Sequence, residues 1–458
     1  VLGLLLLLIG VASAAPAEEP TGRPPNVVLV FTDDQGYGDL GVQGAKGFRT
    51  PRIDGLAAQG MRFTSFYVSE ATCSASRASL LTGCYAKRVS MPGALYPGSR
   101  VGLHPDEETL AELLRARGYA TAAVGKWHLG HLPAFLPTKQ GFDEYLGLPY
   151  SNDMWPVGYD GVRAERGRKA GYPELPLLDG EKVEAEIRDL EDQDTLTTRY
   201  TARAVDFIER NRERPFFLYL AHSMPHVPLG VSERFRGKSP YGPYGDVIAE
   251  IDDGVGQVLD ALERCGLKDH TLVVYTSDNG PWLNFGDHAG TTGGLREGKG
   301  TAWEGGARVP CVVRWPGRVP AGVVCDQLAA TIDLLPTIVR LTGAPFPQRP
   351  IDGIDLSPLL LGRTTTSPRD RYLYYYTGGL CAVRDARYKL VLPHGARSYV
   401  GVEPGRDGMP GPYARWNGGP LLFDLRDDPG ERRDLLGTLP EVEERLRALA
   451  EQAREELG

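Results

Sequence analysis

The sequence predicts an α/β protein with a large, mainly parallel sheet and a smaller C-terminal subdomain of different texture. Three observations carry this. Short apolar, β-rich runs alternate with helical periodicity between residues 26 and 280. Several of these runs stop in acidic, amide or glycine-rich turns, as buried parallel strands do where they feed loops. After about residue 365 the pattern gives way to short strands with turns and one closing helix.

Taken in order, NVVLVFT at 26–32 is a continuous apolar run that breaks into DDQGYGDLG, which reads as a buried strand and a polar loop. A helix is expected at 51–59, a strand at 61–68, helices at 73–83 and 106–117, and a strand at 119–125. TARAVDFIERNRE (201–213) is helical in period, FFLYLA (216–221) is a strand, and DVIAEIDDGVGQVLDALERC (246–265) is a long helix. TLVVYTSDNG (271–280) is a further strand that ends in an acid and an amide. Residues 158–195 are polar, charged and poorly periodic, and are expected to be an insertion near the site. RYLYYYT, CAVRDARYKLVL and PLLFDLRDD are the strands of a small antiparallel sheet, followed by a helix at 440–456. The expected division is a catalytic domain over 24–364 and a C-terminal subdomain over 365–458.

The chain of 458 residues has a net charge of −8, which argues against a general polyanion-binding surface and against nucleic acid as a partner, while allowing a local basic pocket. About 440 mature residues exceed one compact core, in keeping with two units. VLGLLLLLIGVASA is apolar but short for a membrane span, and small residues follow it. We read residues 1–17 as a signal peptide, cleaved after Ala14 or Ala17, with a secreted or periplasmic product and no stable membrane anchor. Once Cys73 is set aside, the cysteines at 84, 265, 311, 325 and 381 are odd in number, so they cannot all pair within the chain.

The chemistry-bearing motifs cluster at strand ends. Asp33 and Asp34 follow the first strand, and adjacent residues reach one ion only where the pleat has been lost. Asp278 and Asn279 repeat the situation after TLVVYTS. Three carboxylates and an amide oxygen form a hard donor set that suits Ca²⁺ or Mg²⁺, although each pair alone would more often be a cap or a solvated turn. GKWHLG places Lys126 and His128 after another strand, and HSMPHVPL places His226 after FFLYLA. In CSASRASLLTG (73–83), Cys73 and Arg77 lie four apart on one helical face.

CxASR followed by LLTG resembles the signature of type I sulfatases, in which the cysteine is converted after synthesis to formylglycine. The resemblance spans nearly the whole mature chain and is nearest to the arylsulfatase A and galactosamine-6-sulfatase group. GKGTAWEGGARVP with Lys299, GLPYSND with Ser151 and the ending LLFDLRDDPGERRDL are similar as well. One departure is Ala75, where many members carry proline. The resemblance implies an alkaline phosphatase-like sandwich and a sulfate ester substrate, either carbohydrate or aryl. It also implies a formylglycine-generating maturation enzyme as partner.

For the site, the resemblance implies that Asp33, Asp34, Asp278 and Asn279 hold a divalent cation, Ca²⁺ in preference to Mg²⁺, with modified Cys73 completing the shell. The hydrated aldehyde attacks sulfur with one hydroxyl, and its second hydroxyl then expels sulfate. Lys126, Lys299 and Arg77 oppose the developing charge, His128 takes the hydrate proton, His226 helps protonate the leaving alcohol, and Ser151 contacts the substrate. Two other readings fit the same residues: a phosphonate or phosphodiester hydrolase on this scaffold, and an unmodified, silent binding protein. Specificity is expected from 131–160, where Trp155 and Tyr159 are candidates to stack on a ring, and from 390–418, with 398–419 as a rim.

Overall fold

A sheet of ten strands organises the computed structural model, which describes residues 23–457. The signal peptide expected at residues 1–17 lies outside them. From one edge the strands are Val323–Cys325, Met61–Phe63, Cys311–Arg314, Thr271–Ser277, Asn26–Thr32, Phe216–Ala221, Ala120–Gly125, Glu144–Gly147, Leu175–Asp179 and Lys182–Ile187. The run from Thr271–Ser277 to Glu144–Gly147 is parallel. Cys311–Arg314 and the last two strands are antiparallel to their neighbours.

The unbroken hydrophobicity of Asn26–Thr32 follows from burial on both faces. Val27, Leu29 and Phe31 enter one core, whereas Val28 and Val30 enter the other. Helices Cys73–Thr82, Leu110–Ala116 and Leu334–Thr342 cover the first face. Helices Leu196–Arg210 and Pro243–Arg264 cover the second, giving three layers.

Beyond them, Arg371–Tyr376, Gly379–Asp385, Tyr388–Val391 and Leu421–Asp424 form an antiparallel sheet. Helix Pro440–Leu457 packs on it through Leu446, Ala450 and Ala453. A separate ribbon pairs His394–Ser398 with Ala414–Gly418. Among the described residues no helix is long and apolar enough to cross a membrane.

Three expectations need correction. The strand at 61–68 is two strands, because Phe66–Tyr67 leaves the main sheet to pair with Ala329–Ala330. The helix expected from 106 begins at Leu110, because Thr109 Oγ1 accepts from Glu112 N–H at 3.2 Å while Glu112 Oε2 accepts from Thr109 N–H at 2.8 Å, a reciprocal cap that fixes the start. The stretch 158–195 is more than an insertion. Its hairpin Leu175–Asp179 and Lys182–Ile187 extends the sheet, with Leu175 and Leu177 buried on one side.

Candidate active site

The site is assembled at the C-terminal ends of neighbouring parallel strands, where the topology leaves loops free to converge. Asp33 follows Thr32, Asp278 follows Ser277, Lys126 follows Gly125, and His226 lies just past Ala221. Backbone bonds hold these loops together: Asp278 N–H donates to Thr32 O at 3.0 Å, Asp33 N–H to Met224 O at 3.2 Å and Lys126 N–H to Ala221 O at 2.7 Å. Gly125 has φ 112°, and a Cβ there would fall 1.8 Å from Ala221 O, so the crossing of these two strand ends admits only glycine. Asp34 takes φ 63°, a left-handed turn that ends the pleat and lets consecutive carboxylates face one centre.

Ligand atoms of Asp33, Asp34, Cys73 and His226 lie within 4.8 Å of one another. Asn279 Nδ2 donates to Asp34 Oδ1 at 2.6 Å, which leaves Asn279 Oδ1 buried without a partner, and Asp33 Oδ1 is equally orphaned. Asp278 is pushed up to about 7 by burial and by the Asp33 charge. Two orphaned oxygens among crowded buried carboxylates are what a hard divalent cation satisfies, so the residues present fit one.

Three cations share this buried space. Lys126 Nζ bonds Asp33 and, at 3.1 Å, Ser151 Oγ, and Lys299 Nζ lies 2.6 Å from Asp34 Oδ1. Arg77 donates to Asp278 Oδ2 from Nη2 at 2.9 Å, to Asp33 Oδ2 at 3.2 Å and to Lys126 O at 2.9 Å. Burial alone would raise the Asp33 pKa. Lys126, His226, Arg77 and Lys299 outweigh it and hold the carboxyl far below the usual range.

Cys73 opens its helix, where Ser74 Oγ accepts from Leu95 N–H at 3.0 Å and Ala75 N–H donates to Gly93 O at 3.0 Å. Burial pushes the Cys73 thiol up to about 11, against the pull of Lys126 and Lys299. As a thiol it is a poor nucleophile.

The two histidines have defined tautomers, because a carbonyl can only accept. His128 Nε2 donates to Leu95 O at 2.8 Å, which leaves Nδ1 as a buried, unpartnered acceptor. His226 Nδ1 donates to Val227 O at 2.6 Å, and its Nε2 stands 3.6 Å from Asp34 Oδ2. Burial, reinforced by Lys126 at His128 and by Lys299 at His226, lowers both pKa values.

Residues 25–344 match the sulfatase family, and residues 298–398 match the C-terminal region of N-sulphoglucosamine sulphohydrolase. The chain belongs to the sulfatase family. It is 43% identical to human arylsulfatase A over 97% of this chain and 89% of that protein. With N-acetylgalactosamine-6-sulfatase of Canis lupus familiaris it shares 40% identity over 93% of this chain and 84% of that one. The crystal structure of the PsFucS1 sulfatase from Pseudoalteromonas sp. superposes with a TM-score of 0.83 at 30% identity, covering 94% of this chain and 91% of that one. The fold is the alkaline phosphatase-like sandwich, and the protein is a sulfuric ester hydrolase.

In this sulfatase a cavity of about 460 Å³ opens onto Cys73, Ser151, His226 and Lys299. Arg77 is absent from its wall. The guanidinium sits behind Asp33 and Asp278, fully buried, so the shared helical face turns it toward the carboxylates instead of the opening. Trp155 is also absent, buried at 0% exposure, whereas Tyr159 does line the cavity. Sequence reasoning missed Asp153, Trp282, Tyr376, Arg397 and Tyr413 on the same wall. Trp282 directly follows DNGP and was within reach, since its ring lies 4.5 Å from Lys299 Nζ. Arg397 falls in the 390–418 stretch from which specificity was expected and Tyr413 in the 398–419 rim, without any local pattern to single them out.

Proposed function

We propose that this sulfatase cleaves sulfate esters of carbohydrates through a formylglycine made from Cys73, with a divalent cation held by Asp33, Asp34, Asp278 and Asn279. The observation that carries the reading is the convergence of Cys73 with the buried carboxylates of Asp33 and Asp34 and with Lys126 and Lys299, where Cys73 and Lys299 line the cavity and the others lie behind it. Ca²⁺, or Mg²⁺ in its place, would polarise the sulfate oxygens there. Formylglycine would supply a geminal diol, whose second hydroxyl allows sulfate to be released.

The chain's own residues orient and neutralise the substrate. Lys126 and Lys299 bind sulfate oxygens, and Ser151 fixes Lys126. His128 Nδ1, open and facing no donor, takes a proton at position 73. His226 Nε2 exchanges a proton with the ester oxygen, its ring held by Val227. Arg77 is a positioning residue that keeps Asp33 and Asp278 in place. Because Cys73 is 3% exposed, the maturation enzyme has to reach it before the fold closes. A signal peptide at residues 1–17 would deliver the product to the exterior or periplasm.

The carbohydrate assignment is supported by relatives. One is named N-acetylgalactosamine-6-sulfatase, and another, 29% identical with a TM-score of 0.77, was solved in complex with k-i-k-neocarrahexaose. The test sets p-nitrophenyl sulfate against p-nitrophenyl phosphate, with wild type beside Cys73→Ala. Sulfate ester turnover that Cys73→Ala abolishes is expected. Preference for the phosphate ester would favour a phosphohydrolase, and no turnover by protein from the native host whose Cys73 is wholly unmodified would favour the unmodified, silent binding protein.

A further inference from the structure

The cavity above Cys73 does not end at its mouth. A second cavity, of about 770 Å³, runs along the ribbon His394–Ser398 and Ala414–Gly418, and Tyr376, Arg397 and Tyr413 line both. The two cavities therefore adjoin along these three side chains, with Arg397 at the junction between the reacting position and the ribbon.

The junction is cationic: among the described residues no carboxylate lies within ion-pair distance of Arg397 or Arg415, and no carboxylate lines the outer cavity. Among the described residues Arg397 donates only to Tyr376 Oη at 3.0 Å and Tyr413 Oη at 3.3 Å, and its guanidinium lies over the Tyr413 ring. Arg168, which also lines the inner cavity, has no carboxylate within ion-pair distance among the described residues, and the one carboxylate lining that cavity, Asp153, already accepts from Tyr159 Oη at 3.0 Å.

The ribbon is fixed in register with the inner site. Ser398 Oγ and Tyr399 N–H donate to Glu297 at 2.6 and 2.7 Å, and Tyr399 Oη donates to Lys299 O at 2.6 Å. A Cβ at Gly300 would fall 2.9 Å from Arg397 Cζ, so the glycine next to Lys299 makes room for the guanidinium. Arg397 is thus a fixed, unneutralised cation one residue from a lysine at the reacting centre. Tyr376, Tyr413 and Trp416 beside it offer faces on which sugar rings stack.

Building on the sulfatase reading, we infer that the substrate is an acidic oligosaccharide whose second anionic group is bound by Arg397, with the chain continuing along the ribbon past Trp416 and Arg415. A bidentate, desolvated guanidinium contact discriminates strongly for a carboxylate or sulfate in the neighbouring sugar.

The test is inhibition of p-nitrophenyl sulfate turnover by a chondroitin sulfate tetrasaccharide, by its carboxyl-reduced form and by inorganic sulfate, in wild type, Arg397→Gln, Arg397→Lys and Arg415→Gln. The tetrasaccharide is expected to inhibit at least about tenfold more tightly than inorganic sulfate, and Arg397→Gln to erase about tenfold of that advantage. Arg397→Lys should restore part of it, and Arg415→Gln should weaken it severalfold. Loss on carboxyl reduction identifies the second group as a carboxylate, and retention identifies it as a sulfate. A tetrasaccharide no tighter than inorganic sulfate, or equal weakening of both ligands by Arg397→Gln, overturns the inference. If no aryl sulfate is turned over, the sulfatase reading fails, and calorimetric affinities of the same ligands for the same variants still decide the question of Arg397.

Discussion

At Asp278 one carboxylate serves two masters: its Oδ2 takes both Nε and Nη2 of Arg77, while its Oδ1 accepts from Asp34 N–H at 3.1 Å. Asp278→Asn is therefore expected to lower turnover by on the order of 10²–10³ and also to lower stability, because Arg77 is fully buried and would lose its main countercharge. Steady-state kinetics and denaturant unfolding of the same preparation check both outcomes. Residues such as Asp33, Lys126 and His226 were legible because the first two directly follow, and the third closely follows, a strand whose apolar run announces its own end. The direction of Arg77 was not, since sharing a helical face with Cys73 says nothing about which neighbour takes the guanidinium. Trp155 stayed open between stacking and ordinary packing for a similar reason, because an aromatic in a loop reads the same whether it faces solvent or the core.

Elements position the site through a few contacts that tolerate no substitution. Gly125 lets the ends of Ala120–Gly125 and Phe216–Ala221 meet, and Gly125→Ala is expected to cost on the order of 3 kcal/mol from its φ and its clash with Ala221 O. Thermal unfolding checks the cost, and the loss of activity should exceed it because Lys126 is the next residue. A second junction is polar. Glu304 accepts from Tyr67 Oη and Tyr374 Oη, both at 2.6 Å, and Lys389 Nζ lies 2.7 Å from Glu431 and 3.3 Å from Glu304, all fully buried. This cluster joins the main unit to the antiparallel sheet. Lys389→Met leaves Glu431 without its cation and Glu304 with only Arg308, 3.7 Å away, as an ion-pair partner, and a loss of about 3–5 kcal/mol in chemical denaturation is expected. Sequence periodicity found the strands and helices on either side of this junction, but the bonds across it link residues far apart in the chain and leave no local pattern. The split of 61–68 has the same cause, because its second half is claimed by a partner near residue 330.

At the scale of the whole molecule, one buried histidine contributes a loss of stability in acid. His222 is buried with neither ring nitrogen bonded, and burial takes its pKa from 6.5 down to about 4. The folded value lies below the unfolded one, so the neutral ring stabilises the fold above about pH 6.5, and that contribution is lost as pH falls toward 4, on the order of 3 kcal/mol in total. His222→Leu should flatten this part of the stability profile between pH 7.5 and 4.5, measured by denaturant midpoints. An unchanged slope would assign the acid sensitivity to other groups. The three-layer architecture and the small sheet were readable from alternation and texture alone, because burial on both faces writes itself into a strand as a continuous apolar run. The measurement that bears most directly on the whole account is the fraction of peptide Phe63–Arg77 carrying an aldehyde at position 73, followed by mass spectrometry across preparations that differ in maturation. Specific activity toward aryl sulfate should rise in proportion to that fraction from an intercept of zero, and substantial sulfate ester turnover by protein whose Cys73 is wholly unmodified would contradict it.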